Sequence, residues 1–377
     1  MKSETIVATS SSAWQASTRP IRADLVFYFG SRETLEDGRL FTMLRDRYPM
    51  AVIAGCSTGG QIFDGDVAND IATGVVVQFD ETEVKLSVQE ISDSSASQAC
   101  GRAIGRELTH ADLAGVFVLS DGLGVNGSEL VRGIVAEIGP HTPLSGGLAG
   151  DGVAFRQTLV SGNEPPKARM VAAVGFYGSR LQMRVGRGCG WAEFGPRRNI
   201  TRAVENVLYE LDGYPALDLY EHYLGAEAAD LPSSGQNFPL KISVPRRPEL
   251  DSVRNILSID RQARTVTFAG DVPQGWTAQL MRGRSAMIVA GAAEAARQAQ
   301  TDSAEQNGLA LLVSGIGRRQ FLGQLAFDEI VAATAELRPG YQVLGFYSYG
   351  EIAAHAISRR SELHGQTMSI TTITEVA

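Results

Sequence analysis

The residues Ser120-Asp121-Gly122-Leu123-Gly124-Val125-Asn126-Gly127 close an apolar run and open a helical pattern. Strand, G-x-G-x-x-G, helix is the arrangement that cradles a pyrophosphate on free backbone amides. The full fingerprint also asks for an acid about 20 residues further on, to hold a ribose. Here the next apolar stretch runs into Pro143-Leu144-Ser145-Gly146-Gly147, and Asp151 comes later, inside a glycine-rich exit. The spacing argues against a dinucleotide turn, which leaves an NAD(P)-dependent oxidoreductase as the weakest functional reading. Asn126 and Ser128 read instead as caps of the helix that follows.

Other side chains capable of chemistry are scattered. Cys56 ends a strand, where a helix N-terminus could activate a thiol, but a small buried residue is the plainer reading. Ser57 and Ser120-Asp121 have no partner histidine in a familiar arrangement, and no G-x-S-x-G elbow is present. Asp218 and Glu221 share a helix face and read as solvated. No histidine or carboxylate spacing builds a metal site. We therefore expect no catalytic residue, no metal and no enzymatic activity.

The elements that carry these residues recur. DLVFYFGS (24–31), a helix over roughly Glu33 to Arg47 and AVIAGCSTGGQI (51–62) form one strand–helix–strand unit. GVFVLSDG (115–122), a helix from about Ser128 to Ile138 and PLSGGLAGDG (143–152) form a second. LALLVSGIGRR (309–319), a helix over roughly Phe321 to Leu337 and YQVLGFYSYGEI (341–352) form a third. Each is about the length of a βαβ unit. In the second helix Leu130, Val131, Ile134 and Ile138 make one apolar stripe. Residues 74–80, 84–91, 167–178, 264–271 and 285–291 read as further strands. The fold class is thus α/β in the mixed α+β sense.

Glycine at a strand exit permits positive φ and close backbone approach, and successive exposed amides make a concave donor surface. Three such exits in one chain suggest a shared rim facing a ligand. From the first unit the rim would take Cys56, Ser57 and Thr58; from the second, Ser120, Asp121, Gly146, Gly147 and Asp151. The third would supply Arg318, Tyr347, Tyr349 and Glu351. Tyr347, Tyr349 and Glu351 alternate along one strand and so share a face. Glu351 could pair with Arg318, or line a pocket with Tyr349 that holds a small polar ligand such as an amino acid.

Composition narrows the partners. The 377 residues are 44% apolar and 20% charged, with net charge −8, so nucleic acid or an anionic membrane is not the expected partner. The start has no apolar core of a secretory signal, no window is apolar enough to span a bilayer, and the three cysteines stand far apart. A cytoplasmic protein is expected.

Longer stretches carry a resemblance. VGRGCGWAEFGP (185–196), ITRAVENVLYELDGYPALDLYEHYLG (200–225), GGLAGDGVAF (146–155), TFAGDVPQG (267–275), GFYSYGEI (345–352) and LHGQTM (363–368) together resemble FIST proteins. The likeness covers roughly residues 23–372. It implies an N-terminal FIST domain over 22–212, a C-terminal one over 213–377, and a tail over 1–21. It further implies a sensor of a small-molecule ligand that acts on a histidine kinase or a cyclic-diguanylate signalling protein. Free-standing relatives of this kind are haem-based nitric oxide sensors, which makes haem a candidate cofactor. Nothing in the sequence marks its axial ligand; of the five histidines, His222 and His364 are the two to test. Gly315 stands where many relatives carry a cysteine nearby, which removes thiol chemistry from that corner. The ligand is expected between the two halves, against the glycine-rich exits.

Overall fold

A computed structural model describes residues 1–9, 11–15, 21–69, 71–300 and 307–376. The three recurring units are its framework. Leu25–Gly30 runs parallel to Val52–Ser57, Leu113–Ser120 to Leu144–Leu148, and Gly308–Gly315 to Tyr341–Ser348. An antiparallel strand flanks the leading member of each pair: Ile71–Gln78, Met170–Tyr177 and Met368–Glu375. A further strand closes each outer side: Lys2–Thr9, Glu83–Glu90 and Leu181–Gly188. Three sheets with one common plan result, and the fold is mixed α+β.

The sheets are interlocked in a cycle. After its second parallel strand each unit sends a short strand to a neighbour's sheet. Gln61–Phe63, from the first unit, pairs with Tyr341–Ser348 of the third. Gly350–Ala354, from the third, pairs with Leu144–Leu148 of the second. Val160–Gly162, from the second, pairs with Val52–Ser57 of the first. Strand pairing alone therefore binds three distant stretches of chain into one body, because backbone groups removed from water must find partners.

Residues 191–283 form a separate nine-stranded antiparallel sheet between the second and third units. Its core gathers Leu208, Leu217, Tyr220, Ile256 and Phe268 against the helix Ala216–Leu224. The sheets cross the boundary drawn at 212/213: Val207–Leu211 pairs with Tyr214–Pro215, and Leu181–Gly188 pairs with Met368–Glu375.

Several local expectations change. Residues 1–21 read as a tail, yet Lys2–Thr9 is an edge strand with Ile6 and Ala8 buried against the first sheet. Residues 10 and 16–20 lie outside the described residues. The first-unit helix is split into Arg32–Leu35 and Arg39–Arg47 by Gly38 at φ 71°. The third is split into Ile316–Leu322 and Ala326–Glu336 around Gly323 at φ 56°. Residues 285–291, read as a strand, begin the helix Ser285–Gln298, whose Ile288, Ala292, Ala295 and Ala296 face inward. That spacing is helical, and the alanine-rich continuation favours a helix over a β-branched strand. The second-unit helix, Gly127–Ile138, falls where expected, packed on Ser97–Leu108.

Close approach and positive φ coincide at Gly146. Gly146 sits at φ 136°, and a Cβ there would lie 1.9 Å from the Val118 carbonyl oxygen of the adjacent strand. Gly146→Ala is expected to lower stability by about 3 kcal/mol or more, through overpacking and backbone strain. Urea unfolding checks this; an unchanged midpoint would show that the strand can yield.

Candidate functional site

The three glycine-rich exits meet at the centre of the cycle. Gly59 N–H donates to the Tyr347 carbonyl at 2.8 Å, Gly150 N–H to Ser57 O at 2.9 Å, and Tyr349 N–H to Leu148 O at 3.2 Å. Each exit thus donates one backbone hydrogen bond to another, in turn. The expected rim residues do converge, but the amides satisfy one another rather than facing a ligand. All twelve candidates except Asp151 are buried.

Their side chains are engaged as well. Cys56 lies in the core between the sheets, and burial pushes its thiol well up, so it is not an activated nucleophile. Ser57 Oγ accepts from Leu159 N–H, Thr58 Oγ1 donates to Gly30 O, and Ser120 Oγ donates to Asp121 O. Gly147 stands against Val313 and the Gly350 carbonyl. Tyr349 stacks on Phe155 at 4.5 Å and donates to Asp151. Asp151 in turn accepts from the amides of Phe155, Arg156 and Gln157.

Asp121 answers the question raised by the glycine loop. Its Oδ1 accepts from Leu123 N–H at 3.0 Å and Gly124 N–H at 2.6 Å. Its Oδ2 accepts from Thr158 Oγ1 at 2.8 Å and Arg169 N–H at 3.2 Å. The amides that a pyrophosphate would need are already held by this carboxylate. Asn126 caps the helix as expected, accepting from the Ser128 and Glu129 amides. Ser128 does not; its Oγ accepts from Asp271 N–H at 3.1 Å.

Arg318 is fully buried, and its partner is Glu329 rather than Glu351. Glu329 takes Arg318 Nη2 at 2.8 Å, Tyr347 Oη at 3.1 Å and Ser314 Oγ at 3.2 Å. Glu351 accepts from Ser348 Oγ, Thr367 N–H and Thr367 Oγ1, each at 2.8 Å. Burial outweighs these three bonds and raises its carboxyl to about 7.

Neither candidate haem ligand fits that role. His222 is exposed on the helix Ala216–Leu224. The apolar cavity beside that helix, against Leu219, Tyr220 and Tyr223, is about 20 Å³, room for a water rather than a porphyrin. His364 is buried with both ring nitrogens engaged: Nδ1 accepts from Arg187 at 3.3 Å and Nε2 donates to Ala353 O at 3.2 Å. Burial, then the Arg187 charge, keeps it neutral, its pKa well below the usual value. Among the described residues no three His, Cys, Asp or Glu side chains gather as a metal would require. No helix of the described residues is long and apolar enough to cross a membrane.

Open space lies outside the junction. A cavity of about 460 Å³ separates the helix Gly127–Ile138 from the inserted sheet and from residues 360–363. Val131, Val135, Leu250, Trp276 and Leu363 give it apolar walls; Arg132, Arg254, Asp271, Arg360 and Glu362 give it both charges. Arg254 is 7% exposed and donates only to neutral acceptors: Asp271 O at 2.7 Å, Leu363 O at 3.1 Å, Val253 O at 3.3 Å, and the Ser252 and Ser128 hydroxyls. Burial lowers its guanidinium to about 10. Asp271 accepts from Asn126 Nδ2 at 2.6 Å and Arg132 Nη2 at 2.8 Å. The rim expectation missed these wall residues. Asp271 lay inside the TFAGDVPQG stretch, but Arg254 has no neighbours in sequence that mark it.

Glu351 gives a pH prediction. The folded state holds its proton more tightly than the unfolded chain does. Its contribution is therefore full below about pH 4.5 and is lost as pH rises through about 7. His364 acts oppositely, its contribution falling away as pH drops below 6.5. The difference between wild type and Glu351→Gln isolates the carboxyl: relative to the variant, wild type should lose on the order of 1–3 kcal/mol between pH 5 and pH 8. Parallel urea-derived stabilities at the two pH values would refute the assignment.

The FIST N domain model matches residues 24–214 and the FIST C domain model residues 216–354. No curated protein matches the chain. FIST domains are sensory domains associated with signal transduction and small-ligand sensing. With most of its length matched by these two domains, the chain belongs to the FIST family.

Proposed function

We propose that this protein senses a small zwitterionic metabolite of the amino-acid class in the cavity beneath the helix Gly127–Ile138. The observation that carries this is Arg254. A buried guanidinium costs free energy unless an opposite charge compensates it, and its hydrogen bonds here reach no carboxylate. Asp271 and Glu362 act on it only at a distance, and a ligand carboxylate beside Arg254 and Arg360 would add a direct partner. Glu362 would take an ammonium, Asp271 being already paired with Arg132, and Val131, Val135 and Trp276 would take an apolar side chain. The volume is in the range of small-molecule sites.

An occupant would touch the second unit, the inserted sheet and residues 360–363 at once. Binding would therefore shift the inserted sheet relative to the three-sheet core, and that displacement would be the signal. A histidine kinase or a cyclic-diguanylate signalling protein is the receiver we propose, on the family's association with signal transduction. The haem reading rests on resemblance alone, and the surroundings of His222 and His364 lend it no support.

A thermal-shift screen of the amino acids tests the reading. One chemical class is expected to raise the melting temperature by about 3 °C or more at saturating concentration. Arg360→Ala should weaken that ligand about tenfold, as loss of a charge-assisted contact does, and Val135→Trp should abolish the shift by filling the cavity. No response to any amino acid, or an undiminished response in Val135→Trp, would overturn it.

A further inference from the structure

We propose a second ligand site, for phosphate and phosphate monoesters, in the cavity at the junction of the first and second units. This cavity is about 680 Å³ and is distinct from the one beneath the helix Gly127–Ile138. Arg32, Arg156 and Arg169 line it, together with Gln157, Thr158 and Gly124. Arg156 and Arg169 place two exposed guanidiniums on this concavity, beside Arg32, which Glu33 and Glu36 already pair.

The wall acid forms no ion pair with them. Asp121 is the carboxylate of the cavity, and its oxygens are taken by two amides, a hydroxyl and the Arg169 N–H. The guanidiniums of Arg156 and Arg169 have no partner among the described residues. Arg32 reaches Glu36 and Glu33 through its Nη atoms, which leaves its Nε buried with no partner. An unsatisfied buried donor is costly.

The backbone carrying these cations is held in place. Asp151 accepts from the amides of Arg156 and Gln157 at 2.8 Å and 2.9 Å. Asp121 holds the Arg169 amide, and Arg169 adopts φ 59°, a left-handed conformation that a non-glycine residue keeps only when its surroundings impose it. Two carboxylates predicted as ligand contacts thus act as positioning residues for arginines. Planar guanidinium forks match phosphate oxygens in bidentate fashion, and two free forks suit a doubly charged group better than a single carboxylate.

Calorimetric titration at constant ionic strength, with inorganic phosphate, glucose 6-phosphate and citrate as probes, tests the site. Wild type is expected to bind a phosphate-bearing probe, and Arg156→Gln/Arg169→Gln to bind it at least tenfold more weakly with an unchanged melting temperature in buffer. Val135→Trp, which fills the other cavity, should bind it normally, so failure of the amino-acid reading and failure of this one are separable. Free phosphate as the stronger binder identifies the inorganic ion as the source, and the sugar phosphate as the stronger binder identifies an ester; either outcome supports the site. No binding by either phosphate probe, equal binding in the double variant, or preference for citrate would overturn it.

Discussion

The structure depends on one constraint: three chain segments must satisfy the same small set of buried backbone groups. Gly59, Gly150 and Tyr349 each donate to the next exit in a closed cycle. No unit can complete its sheet without a strand from another. Glycine dominates the exits because strands and turns approach one another there more closely than a Cβ allows. Gly122 and Gly146 each come within 1.9 Å of a carbonyl oxygen, measured from where that Cβ would stand. The residues that read as a ligand-facing rim are instead the fastening of the core.

Polar groups trapped behind this fastening are satisfied in sets. Glu329 collects Arg318, Tyr347 and Ser314, while Glu351 collects Ser348 and Thr367. The first set balances charge against charge. The second does not, and its carboxyl is correspondingly reluctant to ionise. Buried networks of this kind specify one arrangement of the elements, since a partial match leaves an expensive orphan.

Ligand-sized space is left where the cycle ends and other elements lean on it. One cavity opens where the inserted sheet meets the helix Gly127–Ile138, the other where Arg32 approaches the 156–169 connection. Both are walled by pieces of chain far apart in sequence. A molecule in either would bear on elements anchored directly to the central junction, which is what a sensing module requires of its site.

The sequence by itself determined the three strand–helix–strand units, the parallel pairs inside them, the Asn126 cap and the glycines at the exits. These are short-range properties: apolar periodicity, side-chain capping and permitted φ are set within a few residues. It also carried the long stretches that resemble FIST proteins. Tertiary structure decided which sheet each exit joins, that Arg318 pairs with Glu329, and that Arg254 is buried against the Leu363 carbonyl. It also turned Asp121 and Asp151 from ligand contacts into backbone anchors. The sheet partnerships and the Arg254–Leu363 contact join stretches far apart in sequence; the Arg318–Glu329 pair and the Asp121 and Asp151 anchors lie nearer in sequence, but there too the partner was chosen by packing and by the cost of unpaired buried groups rather than by a local pattern.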